Sequence, residues 1–225
     1  MLYALGDPLS FVLLLASFVI AVTAHGWIAS VAADRGGDRR PRAEGRLRPD
    51  PRRHLDPFGA IAAAIAGFGW AKPLEPPGVR ARRGALIASC LSGPALNLLL
   101  AGVALAGFRA VAGIGLSGSS ATVLQHGLAG GSVAERALVL FGLMNAYVGL
   151  LSLIPLPPLD GGRLLFGLAP RSGGWQKAEY HLVEQNIGLA AVLLLILLPL
   201  GGPQALIPTI LDEILSPLVR LVTGG

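Results

Sequence analysis

Residues 9–33 read LSFVLLLASFVIAVTAHGWIASVAA, an apolar run without one charged side chain. A membrane-spanning helix needs about 20 mostly apolar residues, so this run predicts a transmembrane helix. Further runs at residues 85–112, 137–155 and 187–200 predict three more. The N-terminus lacks a basic segment and a cleavage site, so we expect the first run to be retained rather than removed as a signal peptide.

The composition excludes most other classes of protein. Of the 225 residues, 53% are hydrophobic and 14% are charged, whereas a soluble domain has about 25% charged residues. An ordinary soluble enzyme and a disordered chain are both disfavoured. The sequence therefore predicts a single all-α polytopic membrane domain over residues 1–225, with about four transmembrane helices. Its single cysteine, Cys90, excludes a multi-cysteine zinc site within the chain.

Two further segments fit a span less well. Residues 58–70 are apolar but too short to cross a bilayer. Residues 205–222 carry Asp212, Glu213 and Arg220 at intervals, which favours an amphipathic helix at the membrane surface.

The positive charges are concentrated in two stretches. Residues 34–56 hold eight arginines and residues 72–83 hold four basic residues, together 12 of the 18 in the chain, whereas residues 113–134 hold none. By the positive-inside rule the two basic stretches are cytoplasmic and the N-terminus is outside. Residues 58–70 then start and end on one side, so they should dip into the membrane or lie on it. With little aromatic interleaving, the basic stretches favour contact with the lipid bilayer over nucleic acid.

The chain is thereby divided into functional regions. They are a basic cytoplasmic loop (34–56), a membrane-dipping segment with a basic loop (57–83), the core helices (84–168), and a C-terminal span with an amphipathic segment (169–225).

Three polar residues within apolar segments are candidates for chemistry, because ionisable and amide groups are costly inside a membrane. His25 lies in the first span and Asn97 in the second. Asp160 follows three prolines and precedes two glycines, which predicts a broken helix with a carboxylate at the break.

Short motifs accompany these residues over residues 10–168. They are Gly37-Asp38, Gly45-Arg46-Leu47, His54-Leu55-Asp56-Pro57-Phe58-Gly59, Phe68-Gly69-Trp70-Ala71-Lys72-Pro73, Gly93-Pro94-x-x-Asn97 and Leu156-Pro157-Pro158-Leu159-Asp160-Gly161-Gly162. In order and spacing they resemble the site-2 proteases, the intramembrane zinc metalloproteases, and especially their compact bacterial branch. The resemblance implies a zinc held by two histidines of an H-E-x-x-H helix and by Asp160, with the glutamate as general base and a substrate groove at Gly93 and Asn97.

The H-E-x-x-H motif is degenerate in this chain. In a gapless frame His25 takes the first histidine position, Gly26 the glutamate position and Ala29 the second histidine position. In a shifted frame His25 is the second histidine, and Ala21 and Val22 take the other two positions. Both frames leave His25 and Asp160 as the residual metal ligands and leave no catalytic glutamate. Because a zinc site normally has three protein ligands, zinc binding is expected to be weak or absent. His54 is the nearest substitute ligand in the sequence, although its place in a basic stretch argues against that role.

These observations leave the enzymatic status open. The chain is predicted to be a catalytically impaired pseudoprotease of the bacterial plasma membrane, binding a single-span membrane protein or a sibling protease. The alternative is an active intramembrane zinc metalloprotease with an altered metal centre. A proton relay through His25 and Asp160 in a small transporter is a third reading, which the absence of an internal repeat disfavours.

Overall fold

The computed structural model describes residues 1–75, 83–113, 115–116, 119–128, 130–170, 172–199 and 205–224. Residues 76–82 of the second basic stretch, and parts of the 113–134 loop, lie outside these ranges. The α-helices are α1 (Pro8–Arg35), α2 (Arg40–Ala43), α3 (Pro51–His54), α4 (Pro57–Ala66), α5 (Arg83–Ala112), α6 (Ser120–His126), α7 (Val133–Ser152), α8 (Asp160–Leu168), α9 (Gly173–Glu179), α10 (Ile187–Leu197) and α11 (Leu206–Thr223). A 3-10 helix (Leu2–Gly6) precedes α1, and a π-helix (Tyr180–Glu184) follows α9.

Within the described residues, α1, α5 and α7 are long and apolar enough to cross a membrane. A fourth span forms if α9, the π-helix and α10 are counted as one element, bent by 64° between Glu184 and Ile187. The expected all-α membrane protein with about four spans is therefore confirmed. The fourth span differs from a straight helix because Asn186 adopts a left-handed backbone (φ 56°) between its two halves.

The central bundle consists of α1, α5 and α7, and small residues let its helices approach closely. A Cβ atom on Gly142 of α7 would lie 2.8 Å from the Leu105 side chain of α5. One on Gly149 would lie 3.2 Å from Asn97. Large side chains such as Leu140 and Tyr147 are fully buried between the helices. The bundle thus holds α1 and α5 in fixed positions on either side of the site.

The short apolar segment after residue 56 enters and returns on the same side of the fold. Asp56 caps α4 by accepting from the Gly59 amide at 2.8 Å, and Gly67, with φ 96°, ends the helix. The returning chain meets its own start at an isolated antiparallel bridge between Leu55 and Ala71. The segment therefore starts and ends at one level of the fold, and its expected dip into the membrane or position on the membrane surface stays a prediction.

The broken segment between α7 and α8 positions Asp160. After α7 ends at Ser152, the prolines prevent a continuous helix, and α8 begins at Asp160. Gly161 and Gly162 pack directly on the turn, because a Cβ atom on them would lie 2.2 Å from the Leu153 carbonyl oxygen and 2.4 Å from the Leu156 carbonyl carbon. The carboxylate is therefore held in the first turn of α8, facing α1.

Candidate functional site

His25 is buried (3% exposed) and joins three separate elements. Its Nε2 lies 2.7 Å from Oδ2 of Asp160 on α8. Its Nδ1 lies 2.9 Å from Oδ1 of Asn97 on α5. The structure thus brings together residues that are 72 and 135 positions apart in the sequence. Their predicted role as residual metal ligands remains a prediction.

A chain of hydrogen bonds fixes the orientation of Asn97. Its Nδ2 donates to the backbone carbonyl of Ala21 at 3.3 Å and to Oδ1 of Asn145 at 3.0 Å. The Nδ2 of Asn145 in turn donates to the carbonyl of Phe141 at 2.9 Å. Because a backbone carbonyl can only accept, each amide must point its NH2 group at the carbonyl, which fixes the orientation of both Asn97 and Asn145. Oδ1 of Asn97 then faces His25, so Nδ1 of His25 carries a proton and donates.

Asp160 has a second partner on its other oxygen. Nη1 of Arg163, one turn along α8, donates to Oδ1 of Asp160 at 3.0 Å. Both side chains are largely buried, with Arg163 9% and Asp160 11% exposed. A buried carboxylate is tolerated when it is paired and hydrogen-bonded, and here both oxygens are engaged.

Gly93 makes room for the imidazole ring. A Cβ atom at this position of α5 would lie 2.5 Å from Nε2 of His25. Gly93 and Asn97 therefore both contact His25, whereas neither lines the adjoining cavity. Their assignment to a substrate groove stays a prediction.

A small cavity adjoins the His25–Asp160 pair. Its lining includes His25, Gly26 and Ala29 of α1, Ser152 at the end of α7 and Asp160 at the start of α8. The remaining lining, called the far wall below, includes Arg46 and the chain from Trp70 to Leu74. The three positions of the gapless H-E-x-x-H frame thus face one cavity with Asp160. Ala21 and Val22, which the shifted frame would use, are fully buried in the hydrophobic core.

Arg46 holds the far wall of this cavity in place. It is 3% exposed, and its guanidinium donates to the carbonyls of Lys72 and Pro73 at 2.7 and 2.9 Å. The backbone amide of Lys72 donates to the carbonyl of His54 at 2.7 Å. The segment after α4 is therefore fixed opposite α1.

His54 occupies the space beside Gly26. A Cβ atom on Gly26 would lie 2.6 Å from Nδ1 of His54. The imidazole is fully buried, and its Nε2 lies 3.0 Å from the Arg48 carbonyl, to which it donates. Burial lowers the pKa of His54, an effect that the Arg48 carbonyl opposes and the nearby Arg46 reinforces. The basic sequence around His54 gave no signal of this burial; the only hint was the glycine that it packs against.

The residues present do not fit a zinc ion. Among the described residues, no group of three or more histidine, cysteine, aspartate or glutamate side chains could hold a metal. Nδ1 of His25 is used as a donor, and Nε2 is engaged by Asp160. Arg163 adds a positive charge to the carboxylate that would have to bind the cation. The site therefore lacks the ligand set that a catalytic zinc requires.

The fold and the site together define a helical integral membrane protein with a buried His–Asp centre. The chain is 32% identical over 206 residues to the Bacillus subtilis (strain 168) protein named "Putative zinc metalloprotease YwhC", with 87% of this chain and 83% of that protein aligned. The chain belongs to the metalloprotease family of this relative. No protein-family profile matches the chain, and no solved structure matches it significantly.

Proposed function

We propose that this chain is a site-2-protease-like membrane protein that has lost metal-dependent proteolysis and binds segments of other membrane proteins. The observation that carries the proposal is the cavity beside His25 and Asp160. Gly26 and Ala29, which face it, have no side chain that could act as a base or as a second histidine ligand. Loss of a general base alone lowers a rate by about 10²–10⁴-fold.

The site-2 assignment is supported by the positions of the sequence motifs. The His54–Gly59 run forms the start of the dipping segment, and the Phe68–Pro73 run forms its return beside the cavity. Gly93 and Asn97 contact the histidine, and the Leu-Asp-Gly-Gly run supplies Asp160. Motifs that are far apart in the sequence thus converge on one centre.

Binding without cleavage is the function that suits such a scaffold. The chain from Trp70 to Leu74 lines the same cavity as His25 and Asp160, although the groups needed for hydrolysis are missing. A single-span membrane protein or a sibling protease is the proposed partner. The proposed location is the bacterial plasma membrane, with the arginine-rich loops in the cytoplasm.

Zinc content and proteolysis test this proposal together. The protein is purified in detergent without metal-affinity resin, and its zinc is measured by mass spectrometry. It is also reconstituted with single-span membrane peptides and assayed for cleavage and for binding. The expected result is far less than one zinc per chain, no cleavage and saturable binding of a peptide. Stoichiometric zinc or cleavage of a peptide would contradict the proposal.

The alternative is an active metalloprotease with an altered centre, the activity that the name of the Bacillus subtilis relative gives to that protein. In that case the wild type cleaves a membrane peptide, and Asp160→Asn abolishes the cleavage. The matched control is Glu213→Gln, which removes an exposed carboxylate on α11. Cleavage that survives Asp160→Asn would show that this carboxylate is not required for the activity, and would contradict the alternative.

A further inference from the structure

We infer that the side chains of Asn97, His25, Asp160 and Arg163 form a metal-independent lock that cross-links α1, α5 and α8. These four residues are called the polar lock below. In the lock, the ion pair between Asp160 and Arg163, together with the hydrogen bonds of His25, joins the helices as a metal ion would otherwise do. The inference depends on the proposed function only in taking the centre to be free of metal.

The first support is the continuity of the hydrogen bonds. The chain of bonds runs from the Ala21 carbonyl through Asn97 to His25, and then through Asp160 to Arg163, with distances between 2.7 and 3.3 Å. Asn145 joins α7 to the same chain through Asn97. A buried polar network stabilises a fold to the extent that its members are satisfied. These bonds engage both ring nitrogens of His25 and both oxygens of Asp160, whereas the buried Nε of Arg163 has no partner among the described residues.

The second support is the balance of charge. Asp160 carries the only carboxylate in the lock, and it lies between the imidazole of His25 and the guanidinium of Arg163. A divalent ion at Nε2 of His25 would have to break the 2.7 Å contact with Asp160. It would also stand near Arg163, whose positive charge repels it with little screening inside a protein. The arrangement thus satisfies the carboxylate without an ion.

The third support is the tight packing of the pair on the sides away from the cavity. Gly93 lies against the ring of His25, where a Cβ atom would be 2.5 Å from Nε2. Gly161 and Gly162 hold the first turn of α8 against the preceding carbonyls. The imidazole is therefore held by α5 and the carboxylate by the turn before α8, and the two groups meet beside the cavity.

A double-mutant cycle on unfolding tests the lock. Cys90, buried on α5 about two turns before Asn97, reports unfolding through a thiol-reactive fluorophore. His25→Gln, Asp160→Asn and Arg163→Met are each expected to lower the unfolding midpoint by roughly 5 °C or more. Because each breaks the same unit, His25→Gln/Asp160→Asn should lower it no further than the larger single effect. Glu213→Gln is the control and should leave the midpoint unchanged.

The metal-independent part has its own measurement. Treatment of the wild type with the zinc chelator 1,10-phenanthroline should leave the midpoint unchanged. A fall on chelation would overturn the inference, and so would His25→Gln and Asp160→Asn shifts that simply add or that equal the control. These outcomes concern stability alone, whereas the proposed function fails through cleavage of a peptide. The two failures are therefore distinguishable.

Discussion

At the scale of single residues, two glycines make room for two histidine rings. Gly93 gives the His25 ring its place against α5, and Gly26 gives the His54 ring its place against α1. Each glycine is buried in the middle of a helix, where glycine is about 1 kcal/mol less favourable than alanine. Their presence at these positions therefore calls for a packing reason, which the two histidine rings supply.

Substitution of Gly93 by alanine should destabilise the fold by displacing His25. The new methyl group would lie within 2.5 Å of Nε2 and break the contact with Asp160 or Asn97. We expect a loss of about 2–3 kcal/mol, measured as a lower unfolding midpoint. Gly102→Ala on the same helix is the control, because nothing lies within 4 Å of the added atom. It should be neutral or slightly stabilising, and an equal effect of both variants would contradict this account.

The buried imidazole of His54 should make stability depend on pH. Burial lowers its folded pKa below the ordinary value of 6.5, so the unfolded chain binds a proton first as the pH falls. Stability should therefore decrease as the pH drops below about 6.5, by up to about 1.4 kcal/mol per pH unit, and level off below the folded pKa. The nearby Asp50 opposes this shift, and His25 reinforces it.

The measurement is the difference in unfolding free energy between the wild type and His54→Gln, followed from pH 7.5 to pH 5. The amide of glutamine can still donate toward the Arg48 carbonyl, but it does not titrate. The wild type should lose stability relative to the variant over this range. Parallel curves for the two proteins would show that His54 titrates alike in the folded and unfolded states.

At the scale of helices, one carboxylate of α11 gathers hydrogen bonds from α6 and α7, beside the buried apolar face of α11. Asp212 accepts hydrogen bonds from the hydroxyls of Ser119, Ser120, Tyr147 and Ser216 and from the Ala121 amide, at 2.5–3.1 Å. Burial acts to raise the pKa of Asp212, but the hydrogen bonds led by Ser120 outweigh it and lower the pKa overall. Of the three charged residues that made this segment resemble a surface helix, Asp212 thus points inward, whereas Glu213 and Arg220 are exposed.

Asp212→Asn should loosen α11 without disturbing the site. Asparagine replaces one accepting oxygen with an NH2 group that faces donors, and the cost is about 1–3 kcal/mol. We expect faster amide hydrogen exchange over residues 206–223, with unchanged exchange in α1. Glu213→Gln, an exposed neighbour on the same helix, should leave both unchanged. Unaltered exchange in α11 of the Asp212 variant would show that other contacts attach it.

At the scale of the whole molecule, the apolar runs and the break before Asp160 sufficed to predict the helical membrane fold. Hydrophobic length and proline content act locally, so they can be read from the sequence. The sequence also singled out His25, Asn97 and Asp160 by the cost of polar groups in apolar segments. It did not indicate that Arg163 pairs with Asp160 or that His54 covers Gly26, because these contacts depend on how distant segments pack.

Restoring the missing ligands tests how the whole centre is arranged. Gly26→Glu with Ala29→His rebuilds H-E-x-x-H in the gapless frame, whose positions face the cavity. The glutamate would collide with His54, so we expect stoichiometric zinc only when His54→Ala is added. Zinc is measured by mass spectrometry after purification, with His54→Ala alone as the control. Equal zinc binding with and without His54→Ala would contradict the predicted collision.

The bridge between Leu55 and Ala71 also bears on the number of times that the chain crosses the bilayer. Because the chain between Leu55 and Ala71 returns to the level at which it started, this segment does not cross the bilayer. Reporter enzymes fused after Gly37 and after Leu74 must therefore give the same compartment readout, whichever side that is. Among the residues that the structure describes, the helices long and apolar enough to cross are α1, α5 and α7, with the bent α9–α10 unit as a fourth crossing if it is counted as one span.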